Sequence, residues 1–128
     1  YLALQVYLAE EPSLTGLLEE LRLIVRDRRR IATTVGYGPR FLHSTGQLHK
    51  GDDGAGLFVQ FTAANPGDIP IPDEMTGQKS SLTFGSLQIA QARGDAKALE
   101  SRGRRVLRYH FTRDMDAGIR HLIESLKG

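Results

Sequence analysis

Short apolar runs alternate with helix-spaced apolar positions along the whole chain. Residues 1–8 place Leu4, Val6, Tyr7 and Leu8 in a β-forming run that stops at Glu10-Glu11-Pro12. Ser13 then stands as an N-cap, and Leu14, Leu17, Leu18, Leu21, Ile24 and Val25 recur at the spacing of one helix face. Ile31–Val35 reads as a second strand, closed by the turn signal Gly36-Tyr37-Gly38-Pro39. A short helix is predicted over about 43–49, followed by the glycine-rich Gly51–Gly56 and a third strand at Leu57–Thr62. Residues 64–80, with Pro66, Pro70, Pro72 and Gly77, are expected to form a long irregular loop. Loops of that length are uncommon in compact domains and often functional. A helix over Leu82–Arg93 should stop at Gly94-Asp95 and restart over Ala96–Arg102. Val106–Phe111 is the fourth strand, and a last helix over Asp114–Leu126 should bury Met115, Ile119, Leu122, Ile123 and Leu126.

Strand–helix alternation repeated four times predicts an α/β three-layer sandwich. Its parallel sheet of about four strands, near 1–8, 31–36, 57–63 and 106–111, carries helices on both faces. In open sheets of this kind, ligands sit beyond the carboxyl ends of the strands, where the strand order reverses. Four loops lie there: Ala9–Ser13, Gly36–Leu42, Ala63–Ser81 and Thr112–Asp114. No period of 20–50 residues recurs, so a repeat architecture is not indicated.

Composition narrows the class. The 128 residues are one domain's worth, and 40% apolar with 25% charged residues is the balance of a globular core rather than a disordered chain. A strand already under way at Tyr1, with no Met before it, is expected of a domain taken from a longer protein. Nothing approaches ~18 uninterrupted apolar residues, and the first residues read as a strand without a basic lead-in, so neither a signal peptide nor a membrane partner is expected. The absence of Cys excludes disulfides, thiolate metal sites and a Cys nucleophile, and fits a cytoplasmic protein.

Seventeen basic residues against fifteen acidic ones leave a net charge of +2, too little to steer the whole domain toward nucleic acid. Thirteen of the basic residues are Arg, concentrated in Arg26–Arg30 and Arg102–Arg108. Both clusters sit where a helix hands over to a strand, and cations are favoured at helix C-termini. No aromatic residues interleave with them, so a solvated helix-end role outranks a nucleic-acid patch.

The loop after the second strand concentrates the unusual chemistry. Gly36 to Gly51 packs two His, Arg40, Lys50, Ser44, Thr45 and Gln47 into sixteen residues. His43, Ser44 and Thr45 would sit at a helix start, where free N–H groups favour an anion, and Arg40 and Lys50 add charge for a phosphate. His43 could transfer a proton near neutral pH. The plainer alternative has Ser44 and Thr45 as caps and His43 and His49 as surface residues.

Phe41-Leu42-His43-Ser44-Thr45-Gly46-Gln47 resembles the Leu-His-Ser-Met-Gly-Gln segment of bacterial glucose-6-phosphate isomerases, with one substitution in the run. The string through Lys50-Gly51 is closer still to the C-terminal part of bifunctional transaldolase/glucose-6-phosphate isomerases. Ile69-Pro70-Ile71-Pro72, Thr83-Phe84-Gly85 and Gln91-Ala92-Arg93-Gly94-Asp95 extend the similarity over most of the chain. The resemblance implies a sugar-isomerase (SIS) domain, a parallel α/β sandwich. It implies interconversion of glucose 6-phosphate and fructose 6-phosphate through a cis-enediol(ate), in a chain fused to transaldolase, without a cofactor or metal. His43 would be the catalytic histidine that opens the sugar ring. Arg40, Ser44, Thr45, Gln47, His49 and Lys50 would bind substrate.

Two departures qualify the resemblance. The family's terminal Gln-x-Gly-Val-Glu-x-x-Lys helix is missing, and no segment matches the motif of its proton-transferring glutamate. Glu10 and Glu11 end the first strand within reach of the site, yet they are equally plausible as acidic residues ahead of a helix. The base is therefore expected upstream, and the partners implied are a sugar phosphate, the rest of a longer chain and a possible homo-oligomer. A non-catalytic sugar-phosphate-binding SIS module is the alternative. His43, His49, His110 and His121 have no metal-ligand spacing, and Gly51–Gly56 spells neither a dinucleotide fingerprint nor a P-loop. His110, between Tyr109 and Phe111, reads as a strand residue with a satisfied hydrogen bond.

Overall fold

Strands with apolar residues on both faces can only be interior, and that condition places the first strand at the centre of the sheet. The computed structural model describes residues 1–128, apart from the side chain of Lys79. Its elements are β1 (Leu2–Tyr7), α1 (Pro12–Arg29), β2 (Thr33–Tyr37), a 3₁₀ turn (Arg40–His43), α2 (Thr45–Gly51), β3 (Leu57–Ala63), β4 (Pro70–Pro72), β5 (Lys79–Thr83), α3 (Phe84–Glu100), β6 (Arg105–Phe111) and α4 (Met115–Lys127). The main sheet has the order β2-β1-β3-β6 and every pair is parallel. The order reverses between β1 and β3, so the crevice expected of such a sheet lies at their carboxyl ends.

The two faces of the sheet differ in character. Leu2, Leu4, Val6 and Phe61 face the α1/α4 layer, where they pack with Leu14, Leu17, Leu18, Leu21, Ile119 and Ile123 in the main core. On the α2/α3 side, Ala3 and Phe58 pack against Leu99, but the next row is polar. Register sets Gly36, Gln5, Gln60 and Arg108 side by side across all four strands. One row further on, Tyr7, Thr62 and His110 are aligned. That side of the sheet therefore turns from apolar to polar toward its carboxyl edge.

Three segments differ from the sequence-based expectations. The long loop holds an antiparallel hairpin, β4 with β5, because the prolines fall at its edges rather than breaking it. The expected break at Gly94-Asp95 is absent: α3 runs unbroken through both residues, and Asp95 is buried against Lys50. Glu11, not Ser13, occupies the α1 N-cap, with Pro12 in the first turn where its missing N–H costs nothing. Among the described residues no helix is long and apolar enough to cross a membrane.

Both arginine clusters act at helix C-termini, but of neighbouring helices. Arg28 of α1 donates to the Leu126 and Lys127 carbonyls that end α4. Arg104 donates to the carbonyl of Asp52 at 2.5 Å and of Lys50 at 3.3 Å, and pairs with the Asp52 carboxylate at 2.9 Å, closing α2. These contacts satisfy carbonyls that a helix cannot pair internally.

Candidate functional site

Gly38 lets the chain turn tightly after β2, because a Cβ there would collide with the ring of buried Tyr7. The chain then makes the 3₁₀ turn Arg40–His43, whose Phe41 packs edge-on against Tyr7 at 5.8 Å between ring centroids. His43 ends this turn, Ser44 forms the junction, and α2 begins at Thr45. His43, Ser44, Thr45 and Gln47 are all exposed. Arg40 reaches across to Glu10 in an ion pair, joining the loop after β1 to the loop after β2.

The expected anion cradle at a helix start is not built. Ser44 bonds back to the Phe41 carbonyl at 3.2 Å instead of capping α2, and Gln47 donates to the Leu42 carbonyl at 3.2 Å. Helix α2 has seven residues, too short for a developed dipole.

Two of the expected substrate-binding residues point inward. His49 is 8% exposed and lies among aromatic rings, 5.1 Å from Phe58 and 5.9 Å from Tyr1 between centroids. Burial lowers its pKa, opposed by the attraction of Asp95 and Asp52. Lys50 turns to Asp95, with Nζ 2.6 Å from Oδ1 and the Asp95 side chain 1% exposed. His49 packs on Phe58 of β3 and Lys50 pairs with Asp95 of α3, so both side chains are taken up inside the domain. His43, Ser44, Thr45 and Gln47 remain available to a ligand; His49 and Lys50 serve the core.

A second group of polar residues gathers on the other side of the switch point, where the sequence points only to the loop. A cavity of about 560 Å³ opens between α3 and the carboxyl ends of β3 and β6. Arg93, Arg108, His110, Asn65, Gln88 and Asp68 are in its wall. His110 Nδ1 is 2.9 Å from the Thr62 hydroxyl, the satisfied bond expected for it. Asp68 accepts from the Thr83 hydroxyl and, at 2.7 Å, from the Gly85 N–H, and these bonds hold its carboxyl below the usual range. The cavity has no motif; the polar alternation of Gln60, Thr62, Arg108 and His110 is the available signal, legible only once register pairs the strands.

Comparison with known proteins bears on the fold. No family model matches the chain, and no curated protein matches it. Among solved structures, the chain is similar to a hypothetical protein from Thermus thermophilus, with a TM-score of 0.75 and 18% identity. The match covers 98% of this chain and 33% of that one, so the chain spans about a third of the neighbour's length. At this identity the likeness establishes the α/β sandwich alone.

Proposed function

We propose that this chain is a domain of an aldose–ketose isomerase acting on glucose 6-phosphate and fructose 6-phosphate, with His43 as the residue that opens the sugar ring. The observation that carries this reading is the placement of the Phe41–Gln47 run. Its histidine is exposed at the carboxyl edge of a parallel sheet, three residues from an arginine tied to the loop after β1. Ligands of such sheets gather at that edge. An imidazole there can donate to the ring oxygen or accept the C1 hydroxyl proton. Ser44, Thr45 and Gln47 supply hydroxyl and amide groups around it. The proton-transferring base and the lysine of the resembled family come from elsewhere in a longer, transaldolase-fused protein.

His43→Ala in the complete enzyme is expected to lower turnover of closed-ring substrate by about 10²–10⁴-fold, the usual share of a general acid–base group. Proton exchange at C2 of open-chain substrate should suffer much less. Unchanged turnover of the cyclic sugar in His43→Ala would sink the assignment.

One observation favours the second reading, a non-catalytic sugar-phosphate-binding module. Glu10, a carboxylate of the loop after β1, is held by Arg40. A carboxylate occupied by an arginine is not free to approach a substrate carbon, so the chain by itself offers weak support for base catalysis.

A further inference from the structure

We propose that the cavity between α3 and β6 binds a small phosphate monoester of a polyol, at a site separate from the His43 loop. The inference goes beyond the isomerase reading and does not depend on it. The cavity holds about 560 Å³, the size of a small-molecule site.

Two guanidinium groups define its anion end. Buried Gln60 donates to the Ala92 carbonyl at 2.9 Å and accepts from Arg108 Nε at 3.0 Å. This chain of bonds holds the Arg108 guanidinium over the sheet while both Nη groups have no partner among the described residues. Arg93 follows Ala92 on α3 and is likewise unbonded among the described residues, although it lines the same cavity. An arginine fixed through Nε presents its remaining N–H groups as a fork, the geometry that suits phosphate. His110, oriented by Thr62 through Nδ1, has Nε2 left for the same anion.

The start of α3, where Asp68 bonds to Gly85, lies about two turns before Arg93 and sets the rest of the ligand. Asp68 carries a negative charge already bonded to Thr83 and Gly85, so a phosphate is repelled from that end. A carboxylate oxygen keeps spare acceptor capacity, which a hydroxyl can meet. Asn65 and Gln88, unbonded among the described residues, add amide donors and acceptors. A ligand with phosphate at one end and hydroxyls at the other satisfies both groups.

Helix α3 lies between the two places: Ala92 packs against Tyr7 and Phe41, whereas Gln88, Ile89 and Arg93 line the cavity, and no residue of the Arg40–Gln47 loop is in the cavity wall.

Titration calorimetry at low ionic strength, with glycerol 3-phosphate and inorganic phosphate as probes, tests the proposal. Saturable one-to-one binding is expected, with glycerol 3-phosphate the tighter. Arg93→Gln and Arg108→Gln should each weaken it about tenfold, the usual value of a charge-assisted hydrogen bond. Arg93 is exposed and tied to nothing described, so its variant keeps the fold even if Arg108→Gln does not. His43→Ala should leave the affinity unchanged. No saturable binding, or unaltered affinity in Arg93→Gln, overturns the site. Loss in His43→Ala alone would move the ligand to the loop after β2. Equal affinity for the two probes would overturn the hydroxyl contact at Asp68.

Discussion

Lys50 Nζ lies 2.6 Å from Asp95 Oδ1, an ion pair that joins α2 to α3. Asp95 is almost fully buried and Lys50 is 17% exposed, so the pair lies in a setting where an unmatched charge is costly.

Removing one partner leaves the other charge stranded. Asp95→Ala is expected to cost about 3 kcal/mol, at the low end for a broken buried pair because Lys50 retains some access to water. Replacing both residues, as in Lys50→Met with Asp95→Leu, should recover most of that loss. Urea unfolding of the single and double variants measures the difference. A double variant no more stable than Asp95→Ala would show that the pair contributes by more than mutual neutralisation.

His49 makes stability depend on pH. Burial among Tyr1, Phe41 and Phe58 lowers its folded-state pKa below the ordinary ~6.5. Between those two values the unfolded chain binds the extra proton, so stability rises with pH. The contribution is complete above about pH 6.5 and declines as pH falls toward the folded value. His49→Phe, which keeps a ring in the aromatic cluster, should flatten the stability curve in the range just below about pH 6.5. Denaturant midpoints across that range decide it, and an unchanged slope would count against His49 as the titrating group.

Two glycines should respond oppositely to Ala. A Cβ on Gly38 drives into the Tyr7 ring, which is 1% exposed and cannot move freely, so Gly38→Ala should cost about 1–3 kcal/mol. Gly16 lies within α1 with nothing within 4 Å of a built Cβ, so Gly16→Ala should gain about 0.5–1 kcal/mol from helix propensity. Thermal melts of Gly38→Ala test the packing of the loop that carries Arg40 and His43, and those of Gly16→Ala the helix propensity of α1.

The chain of 128 residues by itself should convert little or no fructose 6-phosphate. This follows from the ion-paired Glu10 and the lack of any segment matching the resembled family's glutamate motif. Robust turnover by the purified chain would overturn this and make Glu10 or Glu11 the candidate base.

Hydrophobic periodicity located the four strands and the helices between them, and their alternation gave the parallel sheet with helices on both faces and the strand-end position of the Phe41–Gln47 run. Those features depend on neighbours within a few residues, and period-2 and period-3.6 patterns record them directly. The hairpin within residues 64–80 escaped because three-residue β4 is too short to carry a period. No break forms at Gly94-Asp95 because a glycine costs a helix only about 1 kcal/mol, less than the packing that holds α3 together. Which side chains meet was decided by tertiary structure. His49 and Lys50 look like surface chemistry beside His43, yet α2 turns them toward Phe58 and Asp95. The arginine clusters were legible as helix-end cations, but only the packing of α1 on α4, and of the turn before β6 on α2, selected the carbonyls they bond. The row Gln5, Gln60, Arg108 comes from three distant segments aligned by parallel register. Long-range pairings of this kind leave no local periodicity in a single sequence, because the hydrogen bonds and charges that create them act between residues the chain itself does not keep close.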